Sequence, residues 1–348
     1  MQTTGMNINA FFIGVATAYY VLMAYQIFVG ERKRSTRLHK LMGWISIFWA
    51  LSNGKDIILT FPGMYTESML DMIIILDGWS ALTYLAFLYE LTRPGWLTKK
   101  HLLIASMPFA IYTGAYFIYP CHTMIYYVVS FLVIFGLYIT IIGYRHSVSY
   151  MNYIRNYYSN IDEINISWLR KVFLLAAASL LVWLFTALTE NYLADCLYYI
   201  ISISIWQMVV CHCRNLKQVN PEEIIEEERN CEEELKNDEE RKFPFAGTLE
   251  EMIENERLYL QPSLALDDLA KRLNTNRTYL SSYFSKVISK SFYDYINELR
   301  IKQKSIPMLE EHPDYTLEQV AQESGFNSLS TFRRAFRKIT GMTPGEYR

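Results

Sequence analysis

"VAQESGFNSLSTFRRAFRKITGMTPGEYR", residues 320–348, closes the chain and decides how its last third folds. Ser330, Arg333, Arg334 and Arg337 recur at helical spacing, so they share one stripe of a helix. Phe332 and Phe336 fall on the opposite face. Lys338 extends the basic side. Gly325 sits where a tight turn needs a left-handed residue, and Ser328 stands where a helix wants an N-cap. Gly341 is placed to end the helix, and Thr343 and Pro344 to open another turn. The spacing predicts a short helix, a tight turn and a second helix with one greasy and one basic face.

The same pattern occurs earlier. "LDDLAKRLNTNRTYLSSYFSKVISKSFYDY" (266–295) aligns with "LEQVAQESGFNSLSTFRRAFRKITGMTPGEY" (317–347) after one extra residue in the second turn. Leu266, Leu269 and Ala270 match Leu317, Val320 and Ala321. Leu280 and Phe284 match Phe332 and Phe336, and Tyr295 matches Tyr347. Thr316 and Gln319 form a capping box, Asn274 takes the turn position of Gly325, and Asn276 caps like Ser328. A lone basic helix is most often a solvated face. Two helix-turn-helix units in tandem, with matching core and cap residues, point to double-stranded DNA. In the first copy Thr278, Ser281 and Ser282 are expected to point outward, flanked by Arg277 and Lys286. Guanidinium groups suit guanine edges and phosphate.

The other two thirds has a different composition. Aromatics make up 15% of the 348 residues, and most lie before residue 213. Seven stretches approach the ~20 apolar residues that a membrane crossing needs: 8–30, 39–61, 69–91, 101–119, 122–144, 171–192 and 194–213. "SNGKD" interrupts the second. With alternating crossings, every loop Lys and Arg falls on the side that also receives the C-terminal third. Positive loops stay cytoplasmic, so the expected chain has its N-terminus outside and its last third in the cytoplasm. No positive charge precedes the first apolar run, which reads as a retained helix rather than a cleaved leader. Tyr150, Tyr153, Ile154, Tyr157 and Ile161 recur at helical spacing within 145–170, predicting an amphipathic helix on the inner membrane face.

Ionisable groups inside such spans are costly and commonly functional. Asn53, Lys55, Asp56, Asp71, Asp77 and Glu190 form the candidate intramembrane site. Lys55 and Asp77 sit at similar depth, which suggests a pair. Two readings stay open: a tie between helices, or an outward pocket for a small ligand with Asn53, Asp56 and Trp79 nearby. The five cysteines show neither zinc spacing nor a disulfide framework, and "CHC" at 211–213 is too tight for one tetrahedral metal site. No cofactor or metal is expected. The Glu-rich stretch 220–242 reads as a solvated acidic helix or tether, or else as a short parallel helix pairing two copies of the chain.

Residues 247–348 resemble the DNA-binding domain of AraC/XylS-type bacterial transcription regulators. The resemblance rests on "LALDDLAKRLNTNRTYLSSYF", "YDYINELRIKQ" and the closing stretch. It implies seven helices, with two helix-turn-helix units bridged by a long helix at about 291–306. It also implies base reading by Thr278, Ser281, Ser282, Ser330 and Arg334. The sequence departs from the family at Ser282 (often Arg), Ala265 (often a capping Ser or Thr), Lys304 and Pro307. Proline breaks a helix interior, so the bridging helix is expected to end or kink just before Pro307. The first two thirds resembles only the architecture of the family's less common membrane-embedded members.

The expected fold is all-α: a seven-helix transmembrane bundle (1–213), an acidic linker (214–246) and a seven-helix DNA-binding domain (247–348). The expected function is a multi-pass inner-membrane transcription regulator, not an enzyme. Expected partners are DNA, lipid, a second copy, an unidentified small-molecule or peptide signal, and RNA polymerase. The rival readings are a membrane transporter or enzyme with an autoregulatory DNA-binding tail, and a DNA tether without regulated output. No H-E-x-x-H, phosphate loop, nucleophile elbow or kinase signature supports catalysis.

Overall fold

The computed structural model describes residues 2–30, 36–61, 64, 66–189, 192–219 and 243–348. Among them there is no strand, only an isolated antiparallel bridge between Tyr158 and Ala265, so the all-α expectation holds. The chain divides into two units. One comprises Met1–Val148 and Ile166–Val219; the other comprises Ser149–Asn165 and Asn220–Arg348.

In the first unit α1 (Gln2–Tyr25) runs on through a π turn, Gln26–Gly30. Next come α2 (Arg37–Lys55) with a 3-10 turn, Asp56–Thr60, and α3 (Glu67–Asp77), a 3-10 turn Gly78–Ser80, and α4 (Ala81–Thr92). Then follow α5 (Lys99–Ile118), α6 (Thr123–Tyr157), α7 (Leu169–Thr189) and α8 (Tyr192–Cys213). Thr36, Thr66 and Thr98 cap α2, α3 and α5, each hydroxyl accepting from the backbone N–H three residues on. That satisfies a donor the helix cannot.

Six segments among the described residues are long and apolar enough to cross a membrane: Ile8–Gly30, Glu67–Thr92, Lys99–Ile118, Thr123–Tyr157, Leu169–Thr186 and Leu193–Cys213. They correspond to six of the seven expected spans. The other expected span, 39–61, folds as α2 and its 3-10 turn. Its 19 residues reach about 28 Å at 1.5 Å per residue, but its polar residues lower its hydropathy. Those residues face inward: Ser46, Asn53 and Asp56 are buried, whereas Trp44 and Leu51 are 64% and 70% exposed. The same inversion, polar groups within and large apolar groups without, recurs at Ile111, Ile134 and Leu181.

The second unit contains the duplicated motif. Phe245 precedes α9 (Ala246–Asn255). The first helix-turn-helix is α10 (Leu266–Arg272) and α11 (Arg277–Tyr283), the latter widening into a π turn, Phe284–Ile288. Phe243 and Phe245 pack against Tyr279 and Tyr283 of α11. The bridging helix comprises α12 (Phe292–Leu299), a π segment Arg300–Ser305 and α13 (Ile306–Glu311). The second motif is α14 (Leu317–Glu323) and α15 (Leu329–Thr340), followed by the short α16 (Pro344–Tyr347). Ile301, Leu309, Val320, Ala321, Phe326, Phe332 and Phe336 form its core.

Two expectations need correction. The bridging helix does not end before Pro307. The π segment at 300–305 widens the helix ahead of the proline, and helical backbone resumes to Glu311. A widened turn accommodates a residue that has no N–H to donate. Nor does 145–170 fold as a separate surface helix. Helix α6 continues unbroken to Tyr157, and Ser149–Asn165 belongs to the second unit. Tyr150, Ile154, Tyr157 and Ile161 are buried; the stripe is apolar because protein covers it. The acidic stretch 220–242 lies outside the described residues, as does Glu190.

Candidate functional site

Each second helix of the tandem motif is set by its turn. In the first motif Asn274 takes φ 51°, and the Asn276 side chain accepts from the Tyr279 N–H at 2.7 Å. In the second Gly325 takes φ 82°. A Cβ there would lie 2.6 Å from the Leu260 carbonyl oxygen, so the turn admits only glycine. Ser328 accepts from the Thr331 N–H at 3.2 Å. Thr316 and Gln319 make the expected reciprocal box, and Gly341 ends α15 at φ 82°. Ala265 offers no capping side chain, but Asp268 accepts from its N–H at 3.0 Å.

These turns present α15 as the spacing foretold. Thr331, Phe332, Ala335 and Phe336 are buried. Ser330, Arg333, Arg334, Arg337 and Lys338 are exposed. Lys338 Nζ reaches Asp294 Oδ1 at 2.7 Å. The three arginines leave a cationic stripe able to grip phosphate or read guanine edges.

Helix α11 differs. Thr278 is buried rather than outward, Arg277, Ser281 and Ser282 are half-buried, and only Lys286 among its candidate residues is exposed. The Arg277 guanidinium lies over the Tyr157 ring, 5.9 Å from its centroid.

The two motifs are tied together through Arg300, which sequence reasoning missed as a site. It is 1% exposed. Its Nε donates to the Tyr259 carbonyl at 2.6 Å and one Nη to the Gln261 carbonyl at 2.7 Å. Further bonds go to Asn297 Oδ1 at 3.1 Å and to the Ser159 carbonyl and hydroxyl, both at 3.3 Å. The guanidinium also lies over the Phe326 ring at 5.5 Å. Burial pushes its pKa down to about 10, which still leaves it charged at neutral pH.

In the first unit the polar residues gather around a cavity of about 560 Å³. Asn53, Asp56, Asp71 and Asp77 line it, with Glu67 and Asp195 adding two more carboxylates. Lys55 Nζ lies 2.6 Å from Asp56 Oδ1 and 2.5 Å from Asp77 Oδ1. The expected Lys55–Asp77 pair therefore forms, with Asp56 as a third member. The Tyr199 hydroxyl donates to the other oxygen of Asp56 at 3.2 Å. Asp71 pairs with His122 Nδ1 at 3.0 Å, and Asn9 donates to Asp195 at 3.3 Å. Trp79, expected near this site, turns away, its indole N–H donating to Thr113 at 3.1 Å. Sequence reasoning missed His122 and Asp195 because both fall at expected span ends, where polar residues are ordinary.

Comparison with known proteins agrees with the geometry. Residues 269–348 match the family described as "Helix-turn-helix domain". The Msm operon regulatory protein of Streptococcus mutans is 33% identical over 86 residues, 25% of this chain and 30% of that protein. The uncharacterized HTH-type transcriptional regulators YtdP and YdeC of Bacillus subtilis are 34% identical over 88 residues and 31% over 100. These cover 25% and 29% of this chain, and 11% and 34% of the two relatives. The chain thus spans about a third or less of each relative's length. No solved structure matches. The C-terminal part of this chain carries a helix-turn-helix domain, similar to that of proteins named as transcriptional regulators.

Proposed function

We propose that the chain is a membrane-embedded, sequence-specific transcription regulator whose apolar unit senses a solute. The observation that carries the DNA-reading half is the exposed stripe Ser330, Arg333, Arg334 and Arg337 on a helix capped at both ends. Arg334 and Ser330 read bases, and Arg333, Arg337, Lys338 and Lys286 hold phosphate. Ser281, Ser282 and Arg277, half-buried on α11, form the second reading surface. Two such helices one turn of DNA apart, ~34 Å, enter successive major-groove faces.

The membrane half rests on the six long apolar segments, the inside-out burial and the loop charges. Helix α2 supplies the seventh crossing, and the positive loops share the cytoplasmic side with the DNA-binding unit. Within the apolar unit Asn53, Lys55, Asp56, Asp71 and Asp77 line or support the sensing cavity, whose surplus of carboxylates favours a cationic solute. A solute shifts the DNA-binding equilibrium only by its differential affinity for the two arrangements.

Exchange of Arg334 for Ala tests the reading function. It should weaken binding to a preferred sequence by ~1–3 kcal/mol, the size of a lost bidentate base contact, and leave random DNA nearly unaffected. Equal loss on both would assign Arg334 to phosphate. A reporter fused after Cys213 tests the topology, since activity of a periplasm-dependent reporter there would overturn it. The transporter reading predicts solute uptake into vesicles carrying the chain alone; the regulator reading predicts none.

A further inference from the structure

Ser149–Asn165 comprises the last turns of α6 and most of its connection to α7, and it folds with the DNA-binding unit although the rest of α6 and the whole of α7 belong to the apolar unit. It does so through specific contacts. Tyr158 forms the antiparallel bridge with Ala265. The Ser159 N–H donates to the Leu264 carbonyl at 3.2 Å, and its hydroxyl to the same oxygen at 2.5 Å. Ser159 is fully buried and receives two of the bonds from Arg300. Arg155 lies over the Tyr293 ring at 5.7 Å.

Two further contacts reach the leading turns of α11 and α15. In a helix-turn-helix the N-terminal residues of the second helix meet the base edges. Arg277 is the first residue of α11, and Tyr157 stacks beneath its guanidinium. Thr331 lies in the first turn of α15, and its hydroxyl donates to Asp162 Oδ1. Asp162 therefore sets a carboxylate at the positive end of the Arg-rich helix, where a DNA phosphate would otherwise be favoured. One short segment thus engages the leading turns of both reading helices.

We propose that residues 149–165 are an intramolecular mask, an acidic and aromatic surface that competes with DNA for the leading turns of α11 and α15. DNA binding then requires this segment to leave, and its covalent continuity with α6 gives the apolar unit a handle on DNA affinity. This deepens the DNA-binding reading and rests on it.

The test uses the full chain in lipid nanodiscs and a labelled random-sequence duplex of about 30 base pairs, enough for two adjacent major-groove faces. Fluorescence anisotropy measures affinity for the native chain and for Asp162→Asn, an exposed and conservative change. Hydrogen exchange is then read with and without saturating duplex. The mask predicts about fivefold tighter binding by Asp162→Asn, and roughly tenfold faster exchange of the Ser159 amide and its neighbours in the DNA complex. Binding with undiminished protection of residues 158–162 overturns the mask, whatever the affinity of the variant, and leaves the DNA-binding reading standing. Failure of both proteins to bind the duplex overturns the DNA-binding reading and the mask with it.

Discussion

Replacing Arg300 with Met keeps most of the side-chain length and removes the guanidinium. Two short bonds, 2.6 and 2.7 Å, and three longer ones are lost. A charged hydrogen bond contributes ~1.5–3 kcal/mol and an ordinary one ~0.5–1.5. Relief of the buried charge offsets part of this, about 3 kcal/mol for a pKa pushed from 12.5 to about 10. The balance falls at about 2–7 kcal/mol, with the Tyr259 and Gln261 carbonyls left without this donor. The DNA-binding unit contains no tryptophan, so hydrogen exchange of α12 in the full chain is the suitable assay. A loss of ~4 kcal/mol should accelerate exchange of its most protected amides about a thousandfold. Acceleration below about tenfold would refute the view that Arg300 joins the two motifs.

Lys55→Met should destabilise the apolar unit by ~3–5 kcal/mol, because Asp56 and Asp77 lose the charge between them. Adding Asp77→Asn should recover part of the loss in thermal melts, and no recovery would dissolve the pair. Gly325→Ala should cost at least ~2 kcal/mol, since it combines a positive φ with a Cβ against the Leu260 carbonyl; an unchanged melting temperature would contradict the geometry. Glu298 is held below its ordinary value by hydrogen bonds from Lys290 and Lys302. Its stabilisation is therefore present above the usual glutamate range and is lost as pH falls through the lowered value. The side chain is partly exposed, so the loss should stay under ~1 kcal/mol, and Glu298→Gln should flatten the acid limb of a stability profile.

The tandem motif was legible because each local signal agreed with the others. Asn274, Gly325, Asn276, Ser328, Thr316 and Gly341 take the turn, cap and stop positions their chemistry suggests. Phe332 and Phe336 take the core. Matching depth likewise brought Lys55 to Asp77. What the sequence withheld was the identity of partners. The period of Tyr150, Ile154 and Tyr157 marks one face of a helix but does not say whether lipid or protein covers it. For the same reason Thr278 read as outward when it is buried. Pro307 read as an end or a kink, and the π segment that precedes it has no sequence signature. Arg300 looked like one more basic residue, because most of its acceptors are backbone carbonyls, at 159, 259 and 261, which any residue supplies.

The central claim is that two linked helices read DNA sequence. Selection of the intact protein, in nanodiscs, from a pool of randomised duplexes tests it most directly. The account predicts an enriched motif with two blocks about 10 base pairs apart, one of which loses its information in Arg334→Ala. A selected pool as random as its input would contradict the account.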